Sequence, residues 1–467
     1  MLNDMLILMK SELLLTALIF ILLFLKLSSK AFQNQSIINF AHFSLFIICV
    51  AGFFYNTSGS LFGDMFNTNP LFQFQKNILN VAVFIISLQS TQWLKKHEHV
   101  VEFYILLLST LLGMYFMISA GNMLMFYLAL ELSTIPLAAL ANFDLHKKHS
   151  AEAAMKLIIS SAFSSGLLLL GISFLYGSIG TLNFAEIQTL LTGSSLDLFA
   201  FILIMSGFCF KISAVPFHLW TADVYEGAPI AVTSYLSVTS KGAIIFVFTS
   251  VLYKVFSALN YEWYQMLFII SVLTMLIGNL FALRQENMKR FLAFSSIAQV
   301  GFILIGITGQ SIGGSASVIY FVLVYIFSNL GAFGVIALVS SLTNKETIND
   351  YKGFYKTNPV LTWILTIALF SLAGIPPTAG FFGKFFLLMS GAGKGNYILI
   401  IIASLNMVIS LYYYLRIVKA MFMDKNDEPI QKISIPISEK LAFTICLIGI
   451  VFTGMASMVY QYIFSLQ

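Results

Sequence analysis

The sequence predicts an all-α polytopic membrane protein with about 14 transmembrane helices. Three observations carry that prediction. Only 10% of the residues are charged and 59% are hydrophobic, at a mean hydropathy of +0.90, whereas soluble domains carry about 25% charged residues. Apolar runs recur at the roughly 20-residue length that a helix needs to cross a bilayer. No alternation of apolar and polar residues recurs, which sets a membrane β-barrel aside.

Asp4, Lys10 and Glu12 precede the apolar run Leu13–Leu25 of the first span, and no small-residue cleavage site comes after that run. Lys26 and Lys30 come instead, as in a retained helix rather than a signal peptide. On the bilayer scale the spans fall at 5–27, 37–55, 73–93, 101–119, 122–141, 153–177, 197–222, 229–256, 263–283, 290–308, 314–341, 359–390, 396–422 and 438–462. The mixed-charge stretch 342–358 reads as a short surface helix or loop.

Lysine and arginine concentrate in the loops after odd-numbered spans, among them Lys95, Lys96, Lys147, Lys148, Arg284, Lys289, Lys345 and Lys356. The N-terminus and the even loops hold essentially Lys10, Lys254 and Lys394, with Lys76 near the start of the third span. The positive-inside rule then puts the odd loops in the cytoplasm and both termini on the periplasmic side. Because the positive residues sit in short loops, the net charge of +5 implies no nucleic-acid partner. Cys49, Cys209 and Cys446 lie singly in apolar runs and read as small buried hydrophobes. A Gly-rich phosphate loop and a cysteine ladder are both missing from the sequence, so no cofactor site is predicted in this chain.

Two spans are predicted to be broken: the seventh at Ser213–Pro216 and the twelfth over Ala373–Gly380. Proline removes a backbone donor and glycine loosens the chain. Such breaks persist at membrane depth only where protein or a wet cavity covers the freed backbone. The breaks lie five spans apart, and an odd offset inverts one unit against the other, as in transporters. The implied division is 1–100 for spans 1–3, 101–256 for a first five-helix repeat, 257–422 for its inverted counterpart and 423–467 for the C-terminal loop and helix.

Glu131, Lys156, Lys211, Lys241 and Lys384 fall inside predicted spans. A charge at the bilayer centre costs roughly 2.5–3.5 kcal/mol on insertion scales and commonly marks an ion path or proton relay. Each has a plainer reading. Glu131 could be one arm of a structural ion pair, and Lys211, close to the first break, could snorkel to an interface. Lys156 lies nearer a span end than the others. Lysine suits a relay, because desolvation brings its proton affinity toward neutrality. His218, two residues past Pro216, is a titratable group in a broken helix or else a satisfied core histidine. Ser160, Ser161, Ser164, Ser165, Ser237, Ser240, Ser295, Ser296, Gln299, Ser328 and Asn329 could line a hydrated axis or glue helices together.

From about Gly121 to Arg416 the chain resembles a known family. FKISAVPFHLWTADVYEGAP (Phe210–Pro229), NLFALRQENMKRFLAFSSIAQVGF (Asn279–Phe302) and AGIPPTAGFFGKF (Ala373–Phe385) are similar to the antiporter-like membrane subunits of NADH:quinone oxidoreductase, respiratory complex I. The D-V-Y-E-G-A-P loop and the lysine after P-P-T-A-G-F-F-G resemble the subunit N branch. The resemblance implies a proton-translocating subunit of a bacterial inner-membrane complex. Glu131, Lys211, Lys241 and Lys384 would then form a mid-membrane proton axis, with His218 beside it and Lys156 in the same row. It also implies that NADH, FMN, iron–sulfur clusters and quinone are bound by other subunits, and that the partners are neighbouring antiporter-like and small membrane subunits within the lipid bilayer. The alternatives are a subunit of a multi-subunit Na+/H+ antiporter and a scaffold whose buried charges only hold helices together.

Overall fold

The computed structural model describes residues 2–28, 32–54, 57–393, 395, 397–426 and 428–467. Lys30 and Lys394, which entered the loop-charge comparison, lie outside them, as do one end of the predicted second span and one end of the thirteenth. The principal helices are α1 (Lys10–Leu27), α2 (Asn34–Ala51), α3 (Pro70–Gln89), α4 (Val100–Ile118), α5 (Met123–Ala141), α6 (Lys148–Ile179), α7a (Ser195–Ile212), α7b (Leu219–Gly227), α8 (Ile230–Lys254), α9 (Asn260–Ala282), α10 (Met288–Thr308), α11 (Ile312–Thr343), α12a (Pro359–Ala373), α12b (Ala379–Ala392), α13 (Tyr397–Phe422) and α14 (Ile437–Met455). Among the described residues, 12 helices are long and apolar enough to cross a membrane. α1 falls outside that count because it carries three charged residues, Lys10, Glu12 and Lys26, although the rest of it is as apolar as the counted helices. α12a and α12b are the two short apolar pieces of one span.

Helix starts follow capping chemistry. Asn69, Asn122 and Asn287 accept backbone N–H groups at the starts of α3, α5 and α10, and Ser194 with Asp197 forms a capping box on α7a. The interior is set by hydrophobicity on every side: α8, α10 and α11 are sheathed by other helices. α2, α6, α9 and α13 instead turn Phe43, Phe163, Ile269 and Ile401 outward.

Both predicted breaks are present. α7a ends at Ser213, whose φ of 65° is left-handed, with the Ala214 N–H on Cys209 O at 2.8 Å and a cis Val215–Pro216 bond after it. α12a ends at Gly374, φ 88°, with the Ile375 N–H on Phe370 O at 3.0 Å and a cis Pro376–Pro377 bond after it. The left-handed turn closes the last carbonyls of each helix. The two broken helices also share a partner type, each packing both of its pieces on a 32-residue helix, α6 or α11.

Some details differ from the sequence prediction. The loop between α2 and α3 holds a small antiparallel hairpin, β1 (Gly59–Leu61) and β2 (Phe66–Thr68), too short to show as a period in the sequence. α14 stops at Met455, where Gly454 backs onto Pro377 and Ala379, and a separate helix, Ser457–Ser465, follows. The predicted fourteenth span, 438–462, is therefore two helices. The 178–196 connection contains a short helix, Phe184–Leu190, and the 342–358 connection buries Ile348, Tyr351 and Phe354.

Candidate functional site

The row of charges begins on α5. Glu131 is half-buried on the same helix face as Thr134, one turn on, and its Oε1 is enclosed with no hydrogen-bond partner. Lys211, at the end of α7a, donates to Thr134 Oγ1 at 2.6 Å and to Ser161 Oγ of α6 at 2.9 Å. It makes no ion pair with Glu131. Hydroxyls rather than a carboxylate therefore hold the Lys211 ammonium. A cavity of about 20 Å³ lined by Ser133, Thr134, Lys211 and Ser240 separates this end of the row from the next, and that volume suffices for one water.

Lys241 lies one residue past the π-helical turn Leu236–Ser240 in α8 and is 3% exposed. Such turns insert one extra residue and occur often at functional sites. The Lys241 ammonium donates to Ser296 Oγ on α10 at 2.8 Å and lies 5.3 Å from the centre of the Tyr225 ring. Ser237, Tyr325 and Asn329 form a hydrogen-bonded cluster beside it. Gln299, one turn beyond Ser296, donates to the Leu372 carbonyl at 3.0 Å and to Tyr414 Oη at 3.2 Å.

Lys384, 1% exposed on α12b, closes the row. Its ammonium donates to the carbonyls of Leu372 and Ala373 at 2.9 and 3.1 Å and lies over Phe302 at 4.8 Å. These are carbonyls at the broken end of α12a, where the helix dipole favours a cation. The break therefore builds the lysine's binding site. At the other break, Trp220 Nε1 donates to Phe210 O and the Val215 N–H to Thr274 Oγ1. Protein groups thus cover the freed backbone, as the interrupted sequence required.

Two predicted site residues stand apart. Lys156 is exposed and pairs with Glu152 at 2.7 Å and Asp223 at 2.6 Å. Arg290 holds Asp223 and Glu226 in the same cluster. Lys156 points away from the row because its position on α6 faces the polar end of α7b, and a helical period alone does not reveal that. His218 is mostly buried at the start of α7b, and its Nδ1 lacks a partner. Sequence reading missed Thr134, a lone threonine in an apolar helix, and Tyr225, Tyr325 and Tyr414, whose hydroxyls are hidden among 20 tyrosines. It also missed a buried ion pair between Glu12 and Lys76. An apolar-run search reads Glu12 as a flank, and only the packing of one face of α1, Glu12 with Leu15, Leu18 and Leu22, against its neighbours shows otherwise.

A vestibule of about 460 Å³ opens at one end of the bundle, lined in part by Gln89, Trp93, Lys96, Asp144, Glu226 and Lys289. In its wall, burial raises the proton affinity of Asp144, but hydrogen bonds from His97 and Lys147 outweigh it and bring the carboxyl down to about 2.

Residues 120–410 match the family described as NADH:quinone oxidoreductase/Mrp antiporter, transmembrane. NADH-quinone oxidoreductase subunit N of Phocaeicola vulgatus is 47% identical over 97% of both chains. The chain belongs to the NADH-quinone oxidoreductase subunit N family. Subunit N of Azobacteroides pseudotrichonymphae is 48% identical over 93% of this chain and 91% of its own. Among solved structures, a chain of respiratory complex I from Thermus thermophilus with bound aureothin superposes with a TM-score of 0.80, at 25% identity over 95% of this chain and 97% of that one. Subunit N family membership makes this a multi-pass membrane protein of the all-α class.

Proposed function

We propose that this subunit N family chain is a proton-translocating membrane subunit of a bacterial NADH:quinone oxidoreductase. One observation carries the reading. Lys241 reaches Ser296, and one turn further Gln299 shares the Leu372 carbonyl with Lys384, so two buried lysines are linked through a single polar strip. Glu131 and Lys211 stand at one end of this strip and Lys384 at the other, with His218 near the first break. Quinone reduction elsewhere in the complex alters the field at Glu131, Lys211 responds, and a proton passes through Lys241 to Lys384. The vestibule, lined by loop lysines assigned to the cytoplasm, supplies protons.

The reading includes two inverted repeats, 101–256 and 257–422, between the helices of 1–100 and 423–467. Matched connections support it. The Met123 N–H on Leu182 O and the Phe184 N–H on Gly121 O tie the α4–α5 turn to the α6–α7a connection. The Met288 N–H on Glu346 O and the Ile348 N–H on Glu286 O tie the α9–α10 turn to the α11–α12a connection in the same way. Both termini face the periplasm in this orientation, in the bacterial inner membrane. NADH, FMN, iron–sulfur clusters and quinone belong to other subunits, and neighbouring antiporter-like and small membrane subunits cover the outward apolar helices.

The matched family also covers Mrp antiporters, but near-full-length identity to subunit N relatives favours the oxidoreductase. The deciding experiment is Lys241→Ala in the purified complex, reconstituted in vesicles and assayed for proton uptake driven by NADH. Loss of uptake supports the relay, and uptake at the wild-type level in an assembled complex overturns it.

A further inference from the structure

Glu12 of α1 and Lys76 of α3 are each 1% exposed and ion-paired to one another, well away in the chain from the Glu131–Lys384 row. The Lys76 ammonium also donates to Ser119 Oγ at 2.7 Å and lies 5.3 Å from the Phe66 ring and 5.8 Å from the Tyr115 ring. Phe66 belongs to the hairpin, which is pinned over the site by the Asn67 N–H on Ser119 O at 2.8 Å and the Gly121 N–H on Met65 O at 2.9 Å.

The pair is not saturated. Glu12 Oε2 is buried without a donor, and Asn77 Nδ2, one residue past Lys76, is buried without an acceptor. A buried ion pair adds stability only when its remaining lone pairs are satisfied, so a clamp alone accounts poorly for this arrangement. Polar side chains lead away from it in two directions. Ser11 donates to Gln73 and Gln73 to Thr68, and Ser11 is half-exposed. Inward, Gln73, Lys76, Asn77 and Asn80 occupy one face of α3, with Asn80 accepting from Tyr115. A second polar patch, Ser87 to Thr91, continues α3 to the vestibule, which Gln89 and Ser90 line. The Glu12–Lys76 site and the vestibule thus lie toward opposite ends of one helix, whose two polar patches are separated by the apolar stretch Val81–Ile86.

We infer that Glu12, paired under the hairpin with a Lys76 that Ser119 also holds, is a second proton-exchange site of this subunit. Glu12 Oε2 takes a proton from a hydronium ion arriving beside the half-exposed Ser11, leaving a water there, and the neutral carboxyl relaxes its grip on Lys76. The reverse step returns the proton to water and restores the ion pair. The site rests on the proposed pumping role for its purpose, but its protonation can be read separately.

Two measurements on the whole complex test it. First, the wild-type complex is treated with dicyclohexylcarbodiimide, which couples to protonated carboxyls in apolar surroundings, and the peptides are mapped by mass spectrometry. An adduct on Glu12 is expected. An unmodified Glu12, in a sample whose other membrane carboxyls are labelled, overturns the inference without touching the pumping role. Second, Glu12→Gln combined with Lys76→Met removes both charges and leaves no unpaired ion. A loss of protons pumped per NADH oxidised, with Glu12→Asp pumping better than the double variant, supports the site. Wild-type pumping by the assembled double variant shows a clamp only. Lys241→Ala measured alongside reports on the main relay, so failure of one reading is distinguishable from failure of the other.

Discussion

Lys241 donates to Ser296 at 2.8 Å, and that bond joins α8 to α10 with no carboxylate paired to the lysine among the described residues. The lysine is held by a neutral hydroxyl, so it can lose its proton without stranding a carboxylate. Ser296→Ala should leave the complex assembled and slow proton uptake, while Lys241→Ala should abolish it. Equal uptake by Ser296→Ala and wild type would remove the hydroxyl from the path.

Glu131→Gln should also assemble. Breaking a direct buried ion pair costs roughly 3–5 kcal/mol, but Lys211 rests on Thr134 and Ser161 instead. The expected result is a normal amount of complex on a native gel with reduced pumping. Loss of the complex would mean that Glu131 is a clamp after all.

Lys156→Ala should pump like wild type. Its ion pairs with Glu152 and Asp223 are exposed and lie off the row, and exposed pairs contribute no more than about 1 kcal/mol. A pumping defect matching that of Lys241→Ala would place Lys156 on the path.

Two glycines should respond in opposite ways. A Cβ at Gly380 would run into the Ser371 carbonyl, where α12b folds back on α12a, so Gly380→Ala should displace Lys384 from Leu372 and Ala373 and impair pumping. Gly166, in the interior of α6, has open space around it. Gly166→Ala should be neutral to stabilising, by about 0.5–1 kcal/mol from helix propensity, as read from the thermal midpoint.

Asp144 makes the vestibule rim acid-sensitive. Its folded value of about 2 lies below the ordinary 3.8. A depressed carboxyl adds stability that is fully present above the ordinary value and is lost as the pH falls toward the folded one. Between about pH 4 and 2 the thermal midpoint should fall less steeply for Asp144→Asn than for wild type. Identical slopes would show that the His97 and Lys147 contacts do not persist in the complex.

The spans, both breaks and the lysines Lys211, Lys241 and Lys384 were legible because each leaves a local mark: an apolar run, a proline beside a small residue, or a charge where hydrocarbon is expected. Glu12 left no such mark, since a charge near a helix start reads as a flank until the neighbouring helices bury it. Thr134 was invisible for a similar reason. A threonine inside an apolar helix says nothing about which lysine will reach it.

The sequence by itself therefore determined the all-α membrane class and where helices seven and twelve break, because hydrophobic length and proline geometry act within one segment. Tertiary structure alone decided that Lys211 leans on hydroxyls rather than on Glu131, that Lys156 faces outward, that Lys384 caps the broken end of α12a, and that Glu12 pairs with Lys76. Each of these depends on which face of one helix meets another. Packing between segments distant in the chain sets that orientation, and no single stretch of sequence contains it.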